Sequence, residues 1–301
     1  MNVYKSLKLN INQVIPRAFT ATLPLATLSL VLFVLSFPIK AFSQEETTTP
    51  RTFADWCLNK ANLSIETRHT VDVLLQVAET TDCHQASKTL STRTELDLTN
   101  NQIVDIKPLS TLTNLTVLWL DSNQIADIKS LSTLTNLTNL WLDNNQITDI
   151  KSLSTLTTLI DLYLHNNQIV DIKPLSTLTN LDWLSLYNNQ IVDIKPLSAL
   201  INLNFLLLGK NQIVDIKPLS TLTNLRNLLL DNNQIVDIKT LSTLTNLNGL
   251  SLDNNQIFDI KSLSTLTNLS YLTLANNPSL TDRTCPVQPQ SICLFVPFED
   301  E

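Results

Sequence analysis

Leu115 to Leu137 reads LTVLWLDSNQIADIKSLSTLTNL, and this stretch recurs with small changes from about Thr94 to Leu280. Its central asparagine fixes the register: Asn101, Asn123, Asn145, Asn167, Asn189, Asn211, Asn233, Asn255 and Asn277, each 22 residues from the last. A fixed period in the twenties predicts a solenoid in which one repeat makes one turn. Around Asn123 the apolar positions are Leu115, Leu118, Leu120, Ile125, Ile128, Leu131 and Leu134. Leu118 and Leu120 are spaced as on a strand. The later apolar residues are three apart, which suits a 3₁₀-like or irregular return path. One such turn cannot complete its own burial or backbone pairing, so the fold is cooperative along one axis.

The frame LxxLxLxxNxI therefore predicts a leucine-rich repeat arc: an α/β-type solenoid with a concave parallel sheet of about nine strands and a 3₁₀ or irregular convex side. The repeated asparagine both donates and accepts, so it can bridge its own loop and a neighbouring one. A second ladder, Asp105, Asp127, Asp149, Asp171, Asp193, Asp215, Asp237 and Asp259, precedes an Ile-Lys pair in each turn. We read these residues as caps on the outer turn. Pro108, Pro174, Pro196 and Pro218 follow that pair in some turns, where a missing N–H costs nothing.

Working outward, residues 1–43 read as a signal peptide. Lys5, Lys8 and Arg17 form a basic start, Leu25–Phe37 an apolar core, and Ala41-Phe42-Ser43 a cleavage site after about Ser43. An uncleaved N-terminal anchor is the alternative, since extending the apolar run back to Ala18 would reach spanning length. Removing residues 1–43 leaves 16 basic and 27 acidic side chains, a net charge of −11. That charge argues against nucleic acid or an anionic membrane surface as partner. The expected location is secreted or cell envelope, and the expected state a monomer.

Residues 44–52 read as a linker and 53–93 as a small helical N-terminal cap, with Val71, Leu74, Leu75 and Ala78 on one helical face. Arg93 stands where later turns have leucine, as expected beside a cap. Residues 94–280 hold the repeats. Pro278 replaces the usual glutamine and is expected to end the pairing, leaving residues 281–301 as a C-terminal cap. All four cysteines lie in the two caps. An even count in an exported chain reads as disulfides, and we expect Cys57–Cys83 and Cys285–Cys293. The rival is a metal site of Cys57, His69, Cys83 and His84, whose spacing matches no common zinc pattern. No metal or other cofactor is expected.

Function is sought where the repeats differ from one another. The return segment NQIVDIKPLSTLTNL is nearly constant, whereas the strand positions alternating with buried leucines vary and point to the concave face. Trp119, Trp141, Tyr163, Trp183, Tyr187 and Phe205 gather there as a diagonal aromatic patch over five consecutive turns, accompanied by Asp121, Asp143 and His165. Repeat drift explains variation but not this concentration of aromatics, which is what a recognition surface looks like. Asp121 and Asp143, like Asp231 and Asp253, are neighbours on adjacent turns. Their repulsion across water is only about 1 kcal/mol, so solvent tolerates each pair without calcium. His165, Asp143 and Ser185 resemble parts of a catalytic triad. The serine lies in a different column, however, and no oxyanion site accompanies it. No enzymatic activity is expected, and His165 reads as a surface contact residue.

The pattern LTNLTxLxLxxNQIxDIKPLSTLTNL resembles the 22-residue repeats of bacterial internalins and of the phosphatase-regulator leucine-rich repeat proteins. A signal peptide followed by a small helical cap resembles the internalin arrangement, and the phosphatase-regulator reading needs a cytosolic protein. The internalin resemblance implies a curved parallel sheet whose concave face binds a partner protein. In its ends the chain departs from that pattern, because no immunoglobulin-like inter-repeat domain and no LPxTG or GW-type wall anchor follows the repeats. It resembles small secreted bacterial leucine-rich repeat proteins more closely. Two functions follow as expectations: an exported protein-binding module using the aromatic patch, or envelope or extracellular polysaccharide binding through the same rings.

Overall fold

The computed structural model describes residues 51–296; the signal-peptide reading lies outside them. Ten parallel strands form one open sheet in strict chain order. Each of the first nine is a triplet: β1 is Glu95–Asp97, β2 Val117–Trp119, β3 Asn139–Trp141, β4 Asp161–Tyr163, β5 Trp183–Ser185, β6 Phe205–Leu207, β7 Asn227–Leu229, β8 Gly249–Ser251 and β9 Tyr271–Thr273. The central leucine of each triplet points inward and is at most 1% exposed, from Leu96 to Leu272. The flanking residues lie on the sheet's open face.

The return path after each of β1–β8 is a five-residue 3₁₀ turn, such as Lys129–Thr133. The aspartate ladder organises it. Asp127 Oδ1 accepts the backbone N–H of Lys129 at 2.9 Å, and Asp149, Asp171 and Asp193 repeat that bond at 2.8–2.9 Å. Ile125, Ile128, Leu131 and Leu134 fill the interior beneath, each at most 1% exposed.

The asparagine ladder joins turns. Asn189 Nδ2 donates to the Leu186 carbonyl of its own turn and the Leu164 carbonyl of the preceding one, and its Oδ1 accepts from Ile169 N. A carboxylate there would lose both donors. The residue before each ladder asparagine has positive φ: Asn100, Ser122, Asn144, Asn166, Asn188, Lys210, Asn232, Asn254 and Asn276, at 52–58°. Left-handed backbone costs most side chains about 1–2 kcal/mol, while asparagine adopts it more readily. This explains how a chain with 2 glycines turns sharply nine times.

The N-terminal cap comprises α1 (Phe53–Leu58), α2 (Ile65–Val77) and α3 (Cys83–Ser91). Each starts on a capping side chain, respectively Thr52, Ser64 and Asp82. Val71, Leu74 and Ala78 are buried as the periodicity expects. Val73 is buried too, and Leu75 is only partly covered. The helix α2 docks on the first turn through side chains that stand in for a missing repeat. Thr67 Oγ1 donates to Asp105 Oδ2 and Thr70 Oγ1 to the Asp105 carbonyl, both at 2.6 Å. Arg93 donates to the Val77 carbonyl at 2.9 Å, which is why the cap boundary takes arginine where later turns take leucine.

Both expected disulfides are present, Cys57–Cys83 and Cys285–Cys293. The rival metal site at the N-terminal cap is thereby excluded, because both of its sulfurs are already bonded to each other. One expectation fails at the other end. Pairing does not stop at Pro278: β10 (Cys293–Leu294) adds to β9, with Leu274 N donating to the Leu294 carbonyl at 2.8 Å. Proline removes a donor only locally. The chain loops out and returns, and the Cys285–Cys293 bond holds the returning segment beside the last edge.

Candidate recognition surface

Five of the six aromatic residues singled out in the sequence form one continuous stack. Ring centroids are 5.1 Å apart for Trp119–Trp141, 5.0 Å for Trp141–Tyr163, 5.9 Å for Tyr163–Trp183 and 4.5 Å for Trp183–Phe205. The register explains the geometry. Trp119 pairs with Trp141 and Trp141 with Tyr163 across parallel strands, so their rings repeat at strand spacing. Tyr163 then pairs with Ser185, which has no ring, and the stack steps sideways to Trp183 and on to its partner Phe205. The step is where the planes tilt most, by 32°. All five rings are half-buried.

Stacked planes mean that Trp141 presents both faces to its neighbours, and that Tyr163 and Trp183 each present one. The edges therefore point out from the sheet. Tyr187 meets a cation. Its ring lies beneath Lys210, whose Nζ is 5.3 Å from the centroid. Gly209 is needed there, because a Cβ would sit 2.6 Å from Asp231 Oδ1 and 2.9 Å from the Tyr187 ring.

The acidic and histidine positions behave differently from the sequence reading. Asp121 is half-buried and accepts from Thr99 Oγ1 at 2.9 Å. Asp143, expected in water, is 0% exposed. Burial, reinforced by the Asp121 charge, pushes its carboxyl up to about 7. His165 is not the exposed contact residue expected but is 7% exposed, and burial lowers its imidazole to about 4. His165 Nε2 lies 3.2 Å from Asp143 Oδ2, without the alignment of a hydrogen bond. We describe the two as a neutral pair near pH 6 rather than a salt bridge, because both shifts follow from loss of solvent.

Ser185 Oγ is 3.5 Å from His165 Nδ1, which brings the three triad-like residues together after all. Ser185 is only 2% exposed, so the hydroxyl is closed to a substrate. The chemistry available here is hydrogen bonding and proton storage. Sequence reasoning missed this burial because the columns flanking a leucine read as open face whatever their neighbours are. A further carboxylate that it passed over is Asp161, raised by burial and by the nearby Asp182 charge, and bonded to the Asn139 amide.

The site is thus an open parallel sheet with a varied aromatic face on a near-constant scaffold. A leucine-rich repeat profile, described as two copies of the repeat, matches residues 94–133, 113–155, 135–177, 157–199 and 179–221. Among solved structures, an internalin (inlF) of Listeria monocytogenes shares 30% identity at a TM-score of 0.63, over 76% of this chain and 74% of its own. Internalin C2 of the same organism shares 34% over 68% of this chain and 91% of its own, also at 0.63. A leucine-rich repeat protein of Leptospira interrogans shares 33% over 68% of this chain and 53% of its own, at 0.61. No match is found among curated protein sequences.

The chain belongs to the internalin-like leucine-rich repeat proteins. Proteins of this type are protein-binding modules, as a rule without enzymatic activity, and are found on the surface or secreted. The two disulfides fit an oxidising, extracellular setting. Among the described residues, no helix is long and apolar enough to cross a membrane.

Proposed function

We propose that this chain is an exported recognition protein that binds a protein partner along the aromatic ladder of its concave face. The observation that carries this reading is the continuous row of ring contacts Trp119–Trp141–Tyr163–Trp183–Phe205, stacked except for the tilted Tyr163–Trp183 step and half-exposed over five turns. Aromatic side chains offer large, rigid contact area and dominate binding hot spots. At about 4.8 Å per strand, five strands span roughly 20 Å, the width of a compact epitope.

Polysaccharide is the second reading, and the stack weighs against it. Sugars bind aromatic residues by lying on ring faces, and Trp141 is stacked on both sides while Tyr163 and Trp183 are each stacked on one side. The test is a pull-down with the oxidised chain beside a Trp119→Ala/Trp141→Ala/Trp183→Ala variant of unchanged melting temperature. A protein retained by the wild type and lost by the variant is the expected result. Equal recovery by both baits removes the ladder as the site. Recovery of glycan alone transfers the function to polysaccharide.

A further inference from the structure

The charge on the concave face is divided, and the division indicates what kind of protein would fit. The strand positions of the first five turns carry Glu95, Asp97, Asp121, Asp143, Asp161 and Asp182, and no lysine or arginine. The next four turns carry Arg226 against Asp231 and Asp253, with Lys210 beside them. The lysine column Lys107 to Lys261 sits on the 3₁₀ turns of the return path, away from the strands. Nothing basic on the strand positions of the first five turns therefore offsets the acids around the ladder.

Two further features belong to this half. Asp143 Oδ1 and His165 Nε2 are buried beside the ladder with no hydrogen-bond partner. Such atoms are costly to bury, so this part of the face is not shaped for the stability of the fold alone. Asp161 is also held next to Asp182, and burial together with the Asp182 charge raises its carboxyl.

The rings decide how a cation can bind. A Lys or Arg head is attracted to a ring face, whereas ring edges carry the positive end of the quadrupole. Here most inner faces are used by stacked neighbours, the tilted Tyr163–Trp183 step excepted, and the edges face out. A cationic partner would therefore place its charges on the carboxylates and its aliphatic stems along the ring edges.

We propose, resting on the protein-binding reading above, that the ladder's partner presents a basic, extended polypeptide segment. Its Lys or Arg heads meet Asp97, Asp121, Asp161 and Asp182, and its apolar side chains cover the ring edges. Roughly 20 Å of ladder matches about six extended residues at ~3.3 Å each. Association is steered by charge and weakens with salt.

The experiment is calorimetric titration of the oxidised full chain with three synthetic 12-residue peptides built on Lys-Leu-Ser, Glu-Leu-Ser and Ser-Leu-Ser repeats, and with cellohexaose. We expect the lysine peptide to bind about tenfold or more tightly than the others, and to weaken about tenfold between low and moderate salt. An Asp97→Asn/Asp121→Asn/Asp161→Asn/Asp182→Asn variant should lose about tenfold, whereas Asp231→Asn/Asp253→Asn should change by less than about twofold.

Equal binding of the glutamate peptide, no binding of any peptide, preferential binding of cellohexaose, or an unaffected quadruple variant overturns the proposal. The two levels separate cleanly. If the neutral peptide binds best and the triple Trp→Ala variant loses it, the ladder remains the site and only the cationic preference falls. If the lysine peptide binds that variant undiminished, the ladder is not the site and both fall.

Discussion

Asp143 and His165 show how two residues on adjacent turns can conceal a cost. Asp143 holds its proton to about pH 7 in the folded chain, against an ordinary value of 3.8. Alone, it would make stability fall as pH rises from about 4 to 7, because the folded state then binds more protons than the unfolded. His165 titrates near 4 instead of 6.5. Alone, it would make stability rise over about pH 4 to 6.5, because there the unfolded state binds more. The opposing slopes cancel, so wild-type stability is expected to be nearly flat between about pH 4 and 6.5. Single substitutions should uncover each half. His165→Gln leaves Asp143 titrating alone and should lose about 1 kcal/mol per pH unit between about pH 4 and 7. Asp143→Asn leaves His165 titrating alone and should gain stability from about pH 4 to 6.5. Denaturant titrations across that range check both, and a flat profile in either variant refutes the paired account.

At the scale of the element, the turn after each strand was half legible in the sequence. The nine ladder asparagines and the capping aspartates announced themselves through spacing, because each meets the same backbone groups once per turn. The left-handed residue between strand and ladder did not, since its signal is an asparagine adjoining another asparagine and was absorbed into the motif. Two turns depart from it, at Ser122 and Lys210, where φ is 58° and 52°. Ser122→Asn should stabilise by roughly 1 kcal/mol by relieving left-handed strain, and Asn188→Ser should cost about as much. Thermal melts of the two variants decide this, with opposite shifts expected. The aromatic stack was legible as a patch but not as a ladder. Which ring faces which follows from strand register and from the sideways step at Ser185, and neither is written in the column of residue types. β10 was illegible for a related reason: it belongs to no repeat, and only the loop closed by Cys285–Cys293 returns it to the sheet.

For the whole molecule, the repeats make stability a nearest-neighbour property, and the ends decide whether it survives. Interior turns such as that of β5 are covered on both sides. The first turn is covered on one side only by the cap, through Thr67, Thr70 and Arg93 and the apolar contacts of Phe53, Val71 and Leu74. The Cys57–Cys83 bond ties α1 to α3, across a separation of 26 residues, and so keeps that cover assembled. Removing it restores conformational freedom to the unfolded cap, worth about 3 kcal/mol for a loop of this size. In a one-dimensional array the loss need not spread evenly. For Cys57→Ser/Cys83→Ser we expect amide protection to fall in α1–α3 and β1 first, less at β2 and β3, and little at β5. Native-state hydrogen exchange resolves this gradient. A uniform loss of protection from β1 to β9 would mean that the solenoid unfolds as a single unit. The cap would then contribute to total stability without acting as an end-seal, and the ladder across β2–β6 would depend on it as strongly as β1 does.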